Sequence, residues 1–201
     1  MRKGEREKGN EEEMMTRRGE GRCVRKTAET DVEVYLRIYG SGDCEIDTPI
    51  RFLNHMIATF ARHGFFDIRL RASGDLAHHI VEDVGIALGR AFADAMGGAD
   101  ERVSVRRFGH AIVPMDDAIA MCAVDVGGIS ERSFVVLRVK FAHHTIEDTA
   151  TEDITHFIRS FAENAKFTIH IHAGGENEHH KTEAIFKALA IALDLATQKR
   201  R

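Results

Sequence analysis

Residues 74–83 read GDLAHHIVED and residues 175–184 read GENEHHKTEA, so the motif HHxxE occurs twice, 101 positions apart. At the same offset, and without a gap, a lone histidine also repeats, because His55 aligns with His156. Packing residues repeat as well: Phe60 with Phe161, Ala61 with Ala162, Phe66 with Phe167, Ile68 with Ile169, Gly74 with Gly175 and Leu88 with Leu189. Self-similarity at a fixed offset predicts two similar units that pack against each other.

Periodicity gives the same order of elements in both halves. In the first half, strand-like alternation at 31–40 and 66–74 is interleaved with helical spacing at 52–64 and 81–96. Gly97 and Gly98 then predict a helix end and a joint between the halves. In the second half, strand patterns at 103–113, 118–126 and 133–141 precede a helix at 154–165, a strand at 167–175 and a helix at 180–196. The sequence therefore predicts an α+β fold with internal duplication, in which each half is a small mixed sheet with two helices on one face.

The domain organisation follows from these patterns and from charge. Residues 1–20 carry 12 charged side chains, six of each sign, and almost nothing apolar before Met14. Such a segment cannot bury enough surface to offset its ordering entropy, so we expect a disordered tail, with a start at Met14 or Met15 left open. Residues 21–98 then form the first half and residues 99–201 the second, and together they make one compact domain.

Composition excludes several classes of protein. The chain has 201 residues and a net charge of -4, which provides no broad basic field, so we expect no nucleic-acid partner. No apolar run of about 18 residues and no signal-like stretch occurs, so neither a membrane nor an export route is expected. The three cysteines (Cys23, Cys44 and Cys122) fit neither a disulfide framework nor a CxxC metal site. A cytoplasmic location is the simplest expectation.

The repeated histidines and glutamates have the chemistry of a metal centre, because imidazole and carboxylate together suit manganese, iron or zinc. Neighbouring side chains at a helix start point about 100° apart, so one ion cannot easily take both members of an HH pair. We therefore expect each pair to be divided between two ions. Each glutamate follows its pair by three or four residues and shares a helix face with it. The predicted ligands are His55, His78, His79, Glu82, His156, His179, His180 and Glu183.

Other interpretations remain at this point. A single HHxxE is more often a solvated helix start, and a third copy at 143–148, HHTIED, has no partner at the offset. We interpret His143 and His144 as loop or strand-end histidines, with an accessory metal or pH role as the weaker alternative. A binuclear metallohydrolase would explain the ligands equally well, but not their symmetry across two repeats. A non-catalytic oligomer that stores manganese or zinc is the alternative outside the enzymes.

Six ordered motifs resemble the imidazoleglycerol-phosphate dehydratase family, and the likeness runs from Val24 to Gln198. They are RKTAET (25–30), FLNHM (52–56), GDLAHHIVEDVGIALG (74–89), RRFGHAIVPMDDA (106–118), HFIRSFAENA (156–165) and EHHKTEAIFKALA (178–190). The family removes water from imidazoleglycerol phosphate, a small phosphorylated imidazole, to give imidazoleacetol phosphate in histidine biosynthesis. The resemblance implies two Mn²⁺ per active site, held by the eight ligands named above. It also implies a homo-oligomer of 24 subunits with active sites at subunit interfaces.

The resemblance also implies roles for residues outside the ligand set. Glu29 matches a glutamate beside the substrate, Arg107 and Lys187 match substrate or phosphate contacts, and Asp116 matches the acidic residue after VPM. Glu29 is the first choice for proton transfer, Glu82 or Glu183 could serve when not tightly ligated, and Asp116 could orient a partner. The metal-bound imidazole ring, once deprotonated, would expel the hydroxyl through a diazafulvene-like intermediate.

The chain departs from the family pattern in three places. The usual GDLxIDDHH is shortened to GDLAHH, which trims a loop but keeps the ligands. The arginine expected in DLSGRPY falls in DVGGISERSFVV, where Ile129 occupies the strict position and Arg132 is the substrate-binding candidate. Many members continue into a Ser-Ser-Lys-Gly stretch that binds phosphate, whereas this sequence ends in ATQKRR. From sequence we expect Lys199, Arg200 and Arg201 to supply only charge from a flexible terminus.

Overall fold

Each half of the chain builds a four-stranded mixed sheet and two helices. In the computed structural model, residues 19–98, 102–127 and 132–200 are described. The first half contains β1 (Glu20–Lys26), β2 (Thr30–Arg37), β3 (Cys44–Asp47), α1 (Arg51–Gly64), β4 (Asp67–Gly74) and α2 (Ala77–Met96). The second half contains β5 (Phe108–Met115), β6 (Ala118–Asp125), β7 (Phe134–Arg138), the short hairpin β8 (Thr145–Ile146) and β9 (Thr149–Ala150), α3 (Thr151–Ala165), β10 (Thr168–Gly174) and α4 (Glu178–Thr197).

The two sheets have the same topology, which confirms the predicted α+β fold and internal duplication. Their strand orders are β1-β2-β4-β3 and β5-β6-β10-β7, and in each the last-named edge strand is the only one that pairs in parallel. The strands alternate as their sequences predict. In β2, for example, Thr30, Val32, Val34 and Leu36 are buried, while the residues between them face outward. Each sheet therefore has one face toward the core and one face away from it.

The four helices lie between the two sheets. Helix α2 packs on β1 and β2, α4 packs on β5 and β6, and the halves meet where α2 contacts α3 and α1 contacts α4. Phenylalanines fill the centre: the ring of Phe92 lies 5.3 Å from that of Phe66, 5.8 Å from that of Phe161 and 5.4 Å from that of Phe167. Neither half could bury these rings alone, so the hydrophobic core forms where the two halves pack together.

The offset of 101 residues describes only part of the repeat. Gly21 in β1 and Gly109 in β5 occupy equivalent places, because a Cβ on either would overlap a backbone oxygen, that of Ala91 and Ala192 respectively. These glycines are 88 positions apart, whereas the two alanines are 101 apart. The second half therefore carries 13 additional residues between β6 and α3, and the β8–β9 hairpin belongs to them. A gap-free comparison misses the equivalence of the first strands for this reason.

Some expectations fall beyond the described ranges or change in detail. The tail predicted for residues 1–20 lies outside the described residues as far as position 18, while Glu20 already begins β1. Helix α2 ends at Met96 with Gly97 as its C-cap, which confirms the predicted helix end, while residues 99–101 and Ile129 lie outside the described residues. The strand pattern at 103–113 gives a regular strand only from Phe108, with Val105 in an isolated bridge to Lys199. None of the helices in the described ranges is long and apolar enough to cross a membrane.

Candidate metal centre

Two imidazoles and a carboxylate converge where the N-terminal parts of α1 and α4 meet. We call His55, His179 and Glu183 the His179 half-site. Their donor atoms lie within 4.8 Å of one another. Glu183 Oε2 is 3.6 Å from Nε2 of His179 and 3.7 Å from Nε2 of His55. Two nitrogen donors and one oxygen donor at this spacing fit a divalent ion such as Mn²⁺ or Zn²⁺.

The duplication places the corresponding residues together where α2 meets α3. We call His78, Glu82 and His156 the His78 half-site. The rings of His78 and His156 are 5.2 Å apart, and Glu82 Oε2 lies 4.0 Å from Nε2 of His78. Each half-site thus takes its HHxxE residues from one half of the chain and its lone histidine from the other. The exchange follows from the packing of α1 on α4 and of α2 on α3.

The second histidine of each pair turns to other carboxylates, so the structure separates the members of both pairs. Nδ1 of His79 lies 2.8 Å from Asp75 and 3.9 Å from Glu29. Nδ1 of His180 lies 2.7 Å from Asp117, and its Nε2 lies 3.5 Å from Asp116. The hydrogen bond to Asp75 raises the pKa of His79, and the hydrogen bond to Asp117 raises that of His180. Both rings are therefore held by the nitrogen that faces the carboxylate.

Asp117 contacts His180, and the sequence motifs did not single it out. It lies in the tight turn between β5 and β6 beside Asp116, whose φ of 47° is positive. Backbone N–H groups of Asn177 and Glu176 donate to its carboxylate, as does His180, and together they hold the pKa of Asp117 below its ordinary value. Strand register makes it the counterpart of Glu29, because Thr30 and Ala118 begin equivalent strands. That register is the signal that could have found it.

Helix α4 begins on a well-formed cap, which sets the direction of its two histidines. The side chain of Asn177 accepts hydrogen bonds from the backbone N–H groups of His179 and His180. One turn into the helix, Lys181 and Glu178 form an ion pair at 2.8 Å with both side chains almost fully buried. Glu178 also accepts from the backbone N–H of Ala142, and Lys181 donates to the carbonyl of Lys140. The loop before β8 is thereby tied to the start of α4.

The β8–β9 hairpin brings the third HHxxE copy to the edge of the centre through its acidic residues. Glu147 Oε1 lies 3.3 Å from Nδ1 of His179. The carboxylate of Asp148 accepts from the backbone N–H groups of Arg51 and Phe52, so it caps α1, whose own N-cap residue provides no side-chain bond. His143 and His144 lie in the exposed loop that precedes β8, as the sequence indicated.

Some of the residues predicted to contact the substrate lie near the half-sites, and others lie at the far end of the second sheet. Glu29 lies beside His79 and Asp116 beside His180, whereas Lys187 donates to Glu183 at 2.9 Å and contacts Sδ of Met115. Burial raises the pKa of Glu183, but the hydrogen bond and charge of Lys187 and the two imidazoles lower it below its ordinary value overall. The half-sites therefore have acidic, basic and imidazole groups within reach of one another.

Arg107 and Arg132 lie at the other end of the second sheet. The backbone N–H of Arg107 donates to Ala196, 17 residues after His179 along α4, or about 25 Å at 1.5 Å per residue. Its guanidinium forms two hydrogen bonds with Asp125, at 2.8 and 2.9 Å. Arg132 is exposed just before β7, in the same end row of the sheet. Within one chain, neither arginine reaches the half-sites.

The C-terminal segment lies at this same end and is held in place. The backbone N–H of Arg106 donates to Gln198, and that of Arg200 donates to Ser104. Lys199 pairs with Val105 and lies over the ring of Tyr39. The expectation of a flexible terminus was wrong for Lys199 and Arg200, because backbone contacts with Val105 and Ser104 hold them, while Arg201 lies outside the described residues.

Comparison with known proteins gives the family. The model of the imidazoleglycerol-phosphate dehydratase family matches residues 48–193, which include all eight predicted ligands. The chain belongs to the imidazoleglycerol-phosphate dehydratase family. The enzyme from Methanosarcina barkeri is 45% identical over 181 residues, which cover 89% of this chain and 92% of that protein. The one from Methanocella arvoryzae is 46% identical over 178 residues, covering 87% and 90%.

Solved structures of the family have the same fold. The imidazoleglycerol-phosphate dehydratase from Staphylococcus aureus superposes with a TM-score of 0.79 at 28% identity, covering 90% of this chain and 99% of that one. The enzyme from Pyrococcus furiosus, solved in complex with (S)-C348, gives 0.76 at 36% identity and covers 89% and 94%. The chain is therefore a dehydratase of histidine biosynthesis. This assignment replaces the hydrolase and storage alternatives.

Proposed function

We propose that this dehydratase converts imidazoleglycerol phosphate to imidazoleacetol phosphate at a centre that holds two Mn²⁺ ions. The observation that carries the proposal is the convergence of two imidazoles and one carboxylate at the His179 half-site. His78 contacts His156 and Glu82 in the corresponding arrangement, and in both places the lone histidine comes from the other half of the chain. His55, His179 and Glu183 would hold one ion, and His78, Glu82 and His156 the other. When bound, the ions would act as Lewis acids that favour ionisation of the substrate imidazole and orient it.

The residues around the half-sites would move the protons. The hydrogen to be removed is not next to a carbonyl, so a base alone would face a very high pKa, and the ionised ring would help by expelling the hydroxyl. Glu29 is the proposed base, since its carboxylate is 56% exposed and lies beside His79 without a strong partner of its own. Asp116, next to His180, would orient the substrate or return a proton. Glu82 and Glu183 would serve chiefly as ligands.

The proposed active form is a homo-oligomer of 24 subunits with its active sites at subunit interfaces. His79 and His180 contact Asp75 and Asp117 through Nδ1 and belong to neither half-site of their own chain, so they would complete the site of a neighbour through Nε2. Arg107 and Arg132 lie far from the half-sites of their own chain, so they could contact substrate phosphate only across an interface. The outer face of the second sheet exposes Phe108, Ile112, Ile119, Met121 and Phe134, an apolar surface that association would bury.

The proposed location of the enzyme is the cytoplasm. The three cysteines are unpaired, and the cytoplasm would keep them reduced.

The test is turnover by metal-stripped protein with and without added Mn²⁺, followed as formation of imidazoleacetol phosphate. We expect activity only with the ion, and its loss in both His78→Ala and His179→Ala. A His63→Ala variant is the matched control, since His63 is bonded to the backbone of its own helix α1 and lies outside both half-sites. Full turnover in the presence of a chelator would contradict the metal requirement. Hydrolysis of generic phosphoesters in place of dehydration would favour a metallohydrolase.

A further inference from the structure

The two half-sites look equivalent in sequence, but the groups behind their ligands differ. Nδ1 of His78 lies 2.6 Å from Asp153, whose side chain is only 6% exposed. Nδ1 of His179 instead lies 3.3 Å from Glu147, whose side chain is 62% exposed. At the position equivalent to Asp153, 101 residues earlier, the chain has Phe52, and its ring packs against the edge of His179 at 5.2 Å. One imidazole is thus held by a buried anion and the other by an apolar ring.

The carboxylate ligands differ as well, and the difference again favours the His78 half-site. Glu183 receives a hydrogen bond from Lys187 at 2.9 Å, and the lysine side chain is 16% exposed. The position equivalent to Lys187 in the first half is Ile86, so Glu82 has no cation one turn further along its helix. A partly buried ammonium group beside a ligand competes for its charge and repels a divalent ion. The two halves of the chain therefore differ at two positions, one next to the histidine ligand and one next to the glutamate ligand.

We infer that the two half-sites bind divalent ions with unequal affinity, and that the His78 half-site is the tighter one. A buried carboxylate that accepts a hydrogen bond from a ligating histidine fixes the ring and raises its basicity, and its loss typically costs about 10–100-fold in metal affinity. The His179 half-site lacks such an anion and carries the competing charge of Lys187. This inference rests on the proposed metal dependence, but it makes a separate statement about occupancy.

The experiment is a titration of the metal-stripped full-length protein with Mn²⁺, followed by the loss of the electron paramagnetic resonance signal of free aqueous Mn²⁺. We expect two classes of one ion per chain, separated by at least about tenfold in dissociation constant. Asp153→Asn should weaken the tight class about 10–100-fold. Glu147→Gln is its matched control and should change either class by less than about threefold, because the contact is long and exposed.

A second pair of variants tests the contribution of the lysine. Lys187→Ile should tighten the weak class, and the reciprocal Ile86→Lys should weaken the tight class. One class of two equal ions in the wild-type protein, or Asp153→Asn and Lys187→Ile acting on the same class, would overturn the inference. Circular dichroism and mass in solution identify variants that fail to fold or assemble. Since turnover is measured separately, normal dehydration with equal sites would refute the inequality and leave the proposed function standing.

Discussion

At the scale of single residues, the centre depends on carboxylates that hold imidazoles in place. Asp75, Asp117 and Asp153 each lie within 2.8 Å of an Nδ1 atom, and each comes from a different element: the loop before α2, the β5–β6 turn and helix α3. In each case the carboxylate contacts Nδ1, so Nε2 is the nitrogen that would bind an ion. The eight residues of the repeated motifs therefore form only part of the site.

Variants of Asp117 and of its counterpart Glu29 should distinguish a residue that positions a metal-binding histidine from one that transfers a proton. Asp117→Asn keeps the size of the side chain but removes the anion that His180 contacts, so we expect Mn²⁺ binding to weaken by about 10–100-fold together with turnover. Glu29→Gln should bind Mn²⁺ normally and lose most turnover, since the proposed base is gone. Metal binding by equilibrium dialysis and turnover on the same samples check both. Equal metal loss in the two variants would contradict the division of roles.

Asp67 predicts a pH dependence of stability away from the centre. Its carboxylate accepts from the backbone N–H groups of Ser41, Gly42 and Asp43 and pairs with Arg37. Burial raises the pKa of Asp67, but these bonds lower it below its ordinary value overall. A lowered folded-state pKa stabilises the protein fully above the unfolded value of about 3.9, and this contribution is lost as pH falls through the folded-state pKa.

Denaturant unfolding of Asp67→Asn against the wild-type protein measures this contribution. The variant should be less stable at pH 7, and the difference in unfolding free energy should shrink below about pH 4. Glu45→Gln is the control, since its exposed contact with Arg71 at 3.4 Å should contribute little at any pH. A difference that persists unchanged at low pH would mean that Asp67 acts by shape and not by charge.

At the scale of elements, the close approach of α2 and α3 brings together the residues of the His78 half-site. Gly85 and Gly89 of α2 face the backbone of α3, where a Cβ on Gly85 would lie 2.9 Å from the carbonyl oxygen of Phe157. A Cβ on Gly89 would overlap the carbonyl oxygen of Phe161 and lie 2.9 Å from Cβ of Asn164. The two glycines therefore permit a contact that any side chain would push apart.

Gly89→Ala should destabilise the fold despite the better helix propensity of alanine. We expect a loss of about 1–3 kcal/mol in unfolding free energy, because the added methyl group meets backbone that cannot move without its helix. Gly174→Ala is the matched control, since a Cβ there would meet nothing within 4 Å and should be nearly neutral. Chemical denaturation measures both. A stabilised Gly89→Ala would show that propensity outweighs the contact between α2 and α3.

At the scale of the whole molecule, the duplicated sheets present unlike outer faces. The outer face of the second sheet is rich in exposed apolar side chains. The outer face of the first sheet is more polar, and one row across it consists of Arg22, Tyr35, Arg69 and Glu45. Two faces of common origin have therefore diverged in polarity. Since monomeric proteins rarely expose large apolar patches, the second sheet is the better candidate for an interface between subunits.

Ile112→Asp should reduce the mass of the assembly in solution. Ile112 is 64% exposed on the apolar face, opposite Met121, and an aspartate buried there by association would carry an unpaired charge. Val24→Asp is the control: Val24 is 63% exposed on the charged face of the first sheet, so its variant should assemble as the wild type does. Size-exclusion chromatography with light scattering distinguishes the outcomes. Unchanged mass for Ile112→Asp would place the interface elsewhere.

The sequence by itself determined the duplication, the order of helices and strands and the set of candidate ligands, because these depend on local periodicity and on motifs at a fixed offset. It could not reveal that each lone histidine serves the HHxxE motif of the other half, since that exchange depends on how the helices pack. Nor could it show that Asp117 contacts His180, or that Asp153 and Phe52 contact His78 and His179 respectively. These features arise from contacts between residues distant along the chain, and only the tertiary structure decides such contacts.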